Sequence, residues 1–175
     1  VADAGIPELV DRIRREINEN GPMTFVRFME RALYEPGLGY YAVTHDRPTR
    51  DGDFLTAPEL HPIFAKAIAR QVEEMSQRLG KPADFTVREY GAGRATLAGA
   101  FETRFRYEAV ETGDARPSTR FVGVVLANEF LDALPVHRVV RRDDRLRELY
   151  VDWSAGRFVD ALGELSDPRL ADWFH

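Results

Sequence analysis

The chain has 175 residues, 44% of them apolar and 30% charged, with a formal net charge of −5; this is the composition of a globular protein with enough apolar residues for a core. The absence of cysteine excludes disulfides and thiolate chemistry, and the acidic balance argues against non-specific nucleic-acid binding while leaving a basic protein segment open as a partner. No run approaches the ~20 apolar residues of a membrane span, residues 1–5 show no secretory pattern, and none of His45, His61, His137 and His175 has a second ligand at metal spacing, so no metal is expected.

Ile6, Leu9, Val10, Ile13 and Ile17 recur at helical spacing behind Pro7, and Gly21 with Pro22 ends the element. Thr24 suits the cap of a second helix over residues 25–34, closed by Pro36 and Gly37, with Phe25, Phe28, Met29, Ala32 and Leu33 expected in a core. Residues 34–41 crowd Tyr34, Tyr40 and Tyr41 among Pro36, Gly37 and Gly39, so the tyrosines either pack on the second helix or cover a ligand. Residues 45–53 are charged and turn-forming, an exposed loop able to close over a site. A long helix is expected over 63–79, stopped by Gly80, Lys81 and Pro82. Residues 1–80 therefore read as a helical cap region and 81–175 as an α/β domain.

An extended apolar run, 85–90, stops at Gly91 and Gly93 and is followed by a helix-compatible stretch. Glycines in a strand-to-helix turn accept positive φ and let a ligand lie against outward-pointing N–H groups. The dinucleotide fingerprint asks for a third glycine where Thr96 stands, so the fit to NAD is incomplete. The spacing acid-x-Gly-x-Gly-x-Gly is met by Glu89, Gly91 and Gly93, with Ala95 in the last glycine position, and resembles motif I of the class I S-adenosylmethionine methyltransferases.

The next strand, 105–111, ends in Glu111, placed to accept hydrogen bonds from ribose hydroxyls. A third strand, 121–127, is almost continuously apolar, as for a parallel strand buried on both faces. Asn128, Glu129 and Asp132 follow its carboxyl end, where α/β sheets carry their chemistry. Residues 137–142, 146–153 and 157–162 read as an antiparallel meander, with His137, Arg138, Arg141 and Arg142 on exposed strand faces, and Ser166 and Pro168 open a last helix. The nine residues 112–120 are short for a parallel crossover of ~10 to 12 residues. Residues are therefore expected to be missing near 100–104 and 112–120, together with a C-terminal portion.

Gly37-Leu38-Gly39-Tyr40-Tyr41, then residues 52–59, then 89–94, then 126–137 together resemble the MidA-like family of class I S-adenosylmethionine-dependent methyltransferases, which includes a mitochondrial protein arginine methyltransferase of complex I assembly. The resemblance implies an α/β fold: a Rossmann-like class I methyltransferase sheet, incomplete in this chain, with a helical N-terminal region and an inserted β meander at about 136–162. It implies S-adenosylmethionine as cofactor, held by Glu89, Gly91, Ala92, Gly93 and Glu111, with Tyr40, Asp53 and Thr56 contributing from the lid. Glu129 and Asp132 would orient the acceptor and take up its proton, with Asn128 as an orienting donor and Glu59 added from the cap. The implied partner is a protein substrate, without nucleic acid or membrane span and with a homodimer allowed. The implied compartment is the cytoplasm for a bacterial source or the mitochondrial matrix for a eukaryotic one. Ala95 departs from the family glycine and is expected to weaken cofactor binding. A non-catalytic assembly factor of the same fold and an NAD-dependent oxidoreductase are the alternatives.

Overall fold

A computed structural model describes residues 6–43, 62–93, 95–111, 114 and 120–174. The chain forms two compact units, one of residues 1–47 with 134–175 and the other of residues 48–133. The division expected from sequence at residue 80 differs, because the meander pairs with the N-terminal segment.

In the first unit, α1 (Pro7–Asn20) opens on proline and ends at Gly21, whose φ of +83° lets its N–H reach the Ile17 carbonyl. Its buried stripe, Leu9, Ile13 and Ile17, forms a core with Met23 and Val151. Helix α2 (Phe25–Tyr34) is capped as expected, Thr24 Oγ1 accepting the Arg27 N–H at 3.3 Å. Its apolar residues are half-buried rather than enclosed, with Phe28 meeting Phe158 edge-on at 5.1 Å. A short α3 (Tyr40–Val43) follows.

Charge pairs tie α1 to α2. Glu16 accepts from Arg27 at 2.9 Å and Arg31 at 2.6 Å. The buried Glu35 accepts from Arg31 at 2.5 Å and Arg12 at 3.0 Å. Arg31 above all, against the opposing effect of burial and with help from Arg12, holds the Glu35 carboxyl below its usual range.

Strand β1 (Met23–Thr24) pairs antiparallel with a strand of the meander, Met23 opposite Val151. Strands β2 (Thr86–Tyr90), β3 (Arg106–Val110) and β4 (Gly123–Leu126) belong to the second unit, and the meander comprises β5 (Val139–Arg142), β6 (Arg145–Ser154) and β7 (Arg157–Gly163). β6 carries β7 along one edge and β5 and β1 along the other. The β5–β6 turn, Asp143 and Asp144, has positive φ at both residues, the geometry that suits a two-residue hairpin. The expected last α-helix is a 3-10 run, Pro168–Phe174. The Ser166 N–H is engaged by Glu148, and Asp167 takes the capping place, its side chain accepting the Arg169 N–H at 2.9 Å while its carbonyl accepts from Leu170.

In the second unit, α4 (Pro62–Arg78), β2 (Thr86–Tyr90), α5 (Ala98–Phe101), β3 (Arg106–Val110) and β4 (Gly123–Leu126) build a parallel sheet of order β3-β2-β4. Ala69 and Val72 of α4 and Leu97 and Phe101 at α5 pack with Phe85 and Val87. The sheet face carrying Val87 and Val124 is thus the covered one. β4 is not buried on both faces: Val125, opposite Arg88 and on the other face, is 55% exposed. β4 is an edge strand among the described residues, and the described helices cover one face only. The Arg88 side chain is buried on that second face, paired with Glu108 at 2.8 Å and lying 4.1 Å over the Phe121 ring.

Candidate cofactor and acceptor site

Because β2, β3 and β4 are parallel and in register, Tyr90 beside Val110 and Glu89 beside Leu126, the chain leaves all three strands at one edge of the sheet. β3 lies on one side of β2 and β4 on the other, so the strand order reverses at β2. Such a switch point is where open α/β sheets bind ligands.

The Gly91 N–H extends the ladder to the Val110 carbonyl at 2.9 Å, after which Gly91 and Gly93 take φ of +66° and +55°. Gly91 is required twice, since a Cβ there would also lie 2.6 Å from the Phe130 ring. Phe130, whose ring centroid is 5.9 Å from that of Tyr90, folds the loop after β4 onto the glycine turn. Sequence reasoning gave it no role; an aromatic residue set between Glu129 and Asp132 was the available signal. Ala92 lies half-buried between the two glycines.

Ala95 adopts φ of +52°, so its departure from glycine acts as backbone strain. Ala95→Gly is expected to raise stability by about 1 kcal/mol, read as a higher urea midpoint at unchanged slope.

Glu111 turns back on the glycines. Its Oε1 accepts the Gly93 N–H at 2.6 Å, and its own N–H donates to Asp114 Oδ2 at 2.7 Å. Oε2 has no partner among the described residues. Glu89, in contrast, is 4% exposed, and its Oε2 accepts the Tyr107 hydroxyl at 2.5 Å. Burial pushes the Glu89 carboxyl up, the Tyr107 bond opposes this, and the Glu111 charge adds to it. Burial, then the bond to Glu89, likewise pushes the Tyr107 phenol up. Glu89 therefore braces the turn from the core side, and Glu111 faces outward.

Beyond β4, Asn128 is half-buried, whereas Glu129 and Asp132 are exposed, Glu129 at φ of +48° and Asp132 in the 3-10 turn Leu131–Ala133. Neither carboxylate has a hydrogen-bond or ion-pair partner among the described residues, which leaves both able to accept from a cationic group. Asp53, Thr56 and Glu59 lie outside the described residues. Tyr40 belongs to the other unit, where it meets Tyr41 edge-on at 5.1 Å and Tyr41 stacks on Tyr34 at 5.5 Å. Gly39 permits that turn, since a Cβ would come within 2.5 Å of the Glu35 nitrogen.

His137 is not a plain exposed strand residue. Its Nδ1 lies 2.7 Å from Oε1 of Glu148, which is fully buried, and Glu148 Oε2 accepts the Ser166 N–H at 2.7 Å. Burial works to raise the Glu148 carboxyl, but His137 and Ser166 together hold it below its usual range. Among the described residues there is no cluster of three potential metal ligands and no helix long and apolar enough to cross a membrane.

Residues 99–175 match the family described as "Putative S-adenosyl-L-methionine-dependent methyltransferase". The chain is 26% identical to the protein arginine methyltransferase NDUFAF7 homolog, mitochondrial, of Drosophila melanogaster over 202 aligned positions, covering 86% of this chain and 46% of the relative. The alignment is longer than the chain itself, so the fly protein carries residues inside the matched stretch that this chain lacks. Human protein arginine methyltransferase NDUFAF7, mitochondrial, is 32% identical over 98 residues, 56% of this chain and 22% of its own. A Burkholderia thailandensis protein crystallised with S-adenosyl-homocysteine bound is 31% identical, with a TM-score of 0.74 over 99% of this chain and 56% of its own. The chain thus spans less than half the length of these curated relatives.

Proposed function

We propose that the chain is a member of the MidA-like family of class I S-adenosylmethionine-dependent methyltransferases, as its similarity to the family model and relatives above supports, and that it transfers the methyl group of S-adenosylmethionine to an arginine of a protein substrate. The observation that carries this reading is the β3-β2-β4 order, with the glycine turn, Glu111 and the Asn128–Asp132 loop leaving the sheet at one edge. The residues suit the cofactor. The two positive-φ glycines carry no Cβ and so let a ligand lie close against the backbone of the turn, and Glu111 Oε2 is open to a ribose hydroxyl. The bound cofactor would supply an activated methyl group on a sulfonium, transferred by in-line displacement.

In this reading the chain contributes position and charge. Holding the reactants at attack distance contributes on the order of 7 to 11 kcal/mol. The acceptor guanidinium is fully protonated and presents only donors, so Glu129 and Asp132 orient it and one of them takes its proton as transfer proceeds. Asn128, the orienting donor of this reading, acts on a neighbouring carboxylate or the cofactor, since the guanidinium offers no acceptor, and its side-chain oxygen can accept from the guanidinium. The relatives named above are mitochondrial protein arginine methyltransferases. By the same reading, a eukaryotic source would place this chain in the matrix, in complex I assembly, and a bacterial source would place it in the cytoplasm.

The test supplies methyl-labelled S-adenosylmethionine and proteins of a lysate, and measures label released as methylarginine after hydrolysis. The wild-type chain is expected to label arginine. Glu129→Gln is expected to cut the rate about 100-fold with S-adenosyl-homocysteine affinity unchanged; full turnover in that variant would remove Glu129 from the chemistry.

A further inference from the structure

We propose that Asp114 is a positioning residue of the cofactor site, fixing Glu111 so that Glu111 holds the glycine turn in its binding shape before any ligand arrives. The role of the turn rests on the methyltransferase reading above; the linkage itself does not. Asp114 Oδ2 accepts the Glu111 N–H at 2.7 Å, and the Asp114 N–H returns to the Glu111 carbonyl at 3.2 Å. The Glu111 backbone is therefore pinned just where β3 ends. From that point its carboxylate reaches 18 residues back along the chain to the Gly93 N–H at 2.6 Å.

Both side-chain bonds have an ionised acceptor, the stronger class of hydrogen bond. The segment they restrain is the one most in need of restraint. Gly91 and Gly93 both sit at positive φ, and glycine loses more conformational freedom on ordering than any other residue. A turn ordered in advance spares the ligand that loss, and the saving appears as affinity. The same arrangement divides the work of the Glu111 carboxylate, with Oε1 on the turn and Oε2 open toward a ligand hydroxyl. Without Asp114, Glu111 could swing away, taking with it both the Gly93 bond and the aim of Oε2. Among the described residues Asp114 has no hydrogen bond to the glycine turn, so it acts through Glu111.

The experiment compares Asp114→Ala and Asp114→Asn with the wild-type chain by calorimetric titration of S-adenosyl-homocysteine and by amide hydrogen exchange at Gly93 and Glu111 in the ligand-free protein. Asp114→Ala is expected to weaken binding about tenfold and to speed Gly93 exchange by a similar factor, with the thermal midpoint unchanged. Asp114→Asn keeps an acceptor oxygen for the Glu111 N–H and is expected to restore both. Unchanged Gly93 exchange and affinity in Asp114→Ala, or an Asp114→Asn variant as impaired as Asp114→Ala, would overturn the proposal. If the wild-type chain binds no S-adenosyl-homocysteine, the methyltransferase reading fails, and Gly93 exchange still decides whether Asp114 orders the turn.

Discussion

Gly123→Ala is expected to unfold the parallel sheet of the second unit, lowering its stability by about 3 kcal/mol or more. A Cβ at position 123 would stand 1.8 Å from the Thr86 carbonyl oxygen and 2.8 Å from its carbon. Both are backbone atoms of the neighbouring strand, so no side-chain rotation relieves the clash. The only escape is to part β4 from β2, which abandons the pairing of Thr86 with Gly123 and the Thr86 N–H to Val122 carbonyl bond at 2.9 Å. A domain's stability is commonly about 5 to 15 kcal/mol, so a loss of that size is a large share of it. Gly99→Ala is the matched control: Gly99 lies within α5, and a Cβ there meets nothing within 4 Å. It should be neutral or stabilising by a few tenths of a kcal/mol up to about 1. Urea unfolding followed by circular dichroism reads both; a Gly123→Ala midpoint equal to that of Gly99→Ala would contradict the geometry.

Glu148→Ala is expected to lower the stability of the first unit by about 3 kcal/mol. Glu148 is fully buried, and one carboxylate serves both His137 Nδ1 and the Ser166 N–H. Truncation strands the Ser166 donor, frees the imidazole and opens a cavity in the face of β6, three effects of one sign. The pair also predicts a pH dependence. His137 and Ser166 hold the Glu148 carboxyl below the usual carboxylate range despite burial, so its contribution is complete above that range and is lost as pH falls through the lower folded value. The variant lacks this contribution at every pH, so the gap between wild type and Glu148→Ala should narrow as pH is lowered below the usual carboxylate range. A gap that widens on acidification would mean that the carboxyl is destabilising when charged.

Legibility in the sequence followed the range of the interactions involved. The first two helices could be read because their stops are local: Pro7 and Gly21 around α1, Thr24 before α2. The glycine turn and Glu111 could be read because φ above zero and a strand-terminal acid leave marks on single residues. β1 could not, since two residues carry no periodicity and Met23 becomes a strand only through Val151, far along the chain. That pairing is also why the meander joins the N-terminal helices in one unit. Glu148 stood in plain view, on the same strand face as Leu146 and Tyr150, but a lone acid in a strand looks solvated until its partners at 137 and 166 are brought to it. Val125 erred the other way: an apolar run says that burial is available, and the described helices cover only one face of β4.

Calorimetric titration of the purified chain with S-adenosyl-homocysteine, with NAD titrated in parallel, bears on the cofactor assignment without requiring knowledge of the acceptor. The β2 switch point, the glycine turn and Glu111 predict saturable, roughly micromolar binding of S-adenosyl-homocysteine, about −8 kcal/mol, and no heat from NAD. Binding of NAD in its place, or of neither ligand to a chain shown to be folded, would contradict the assignment.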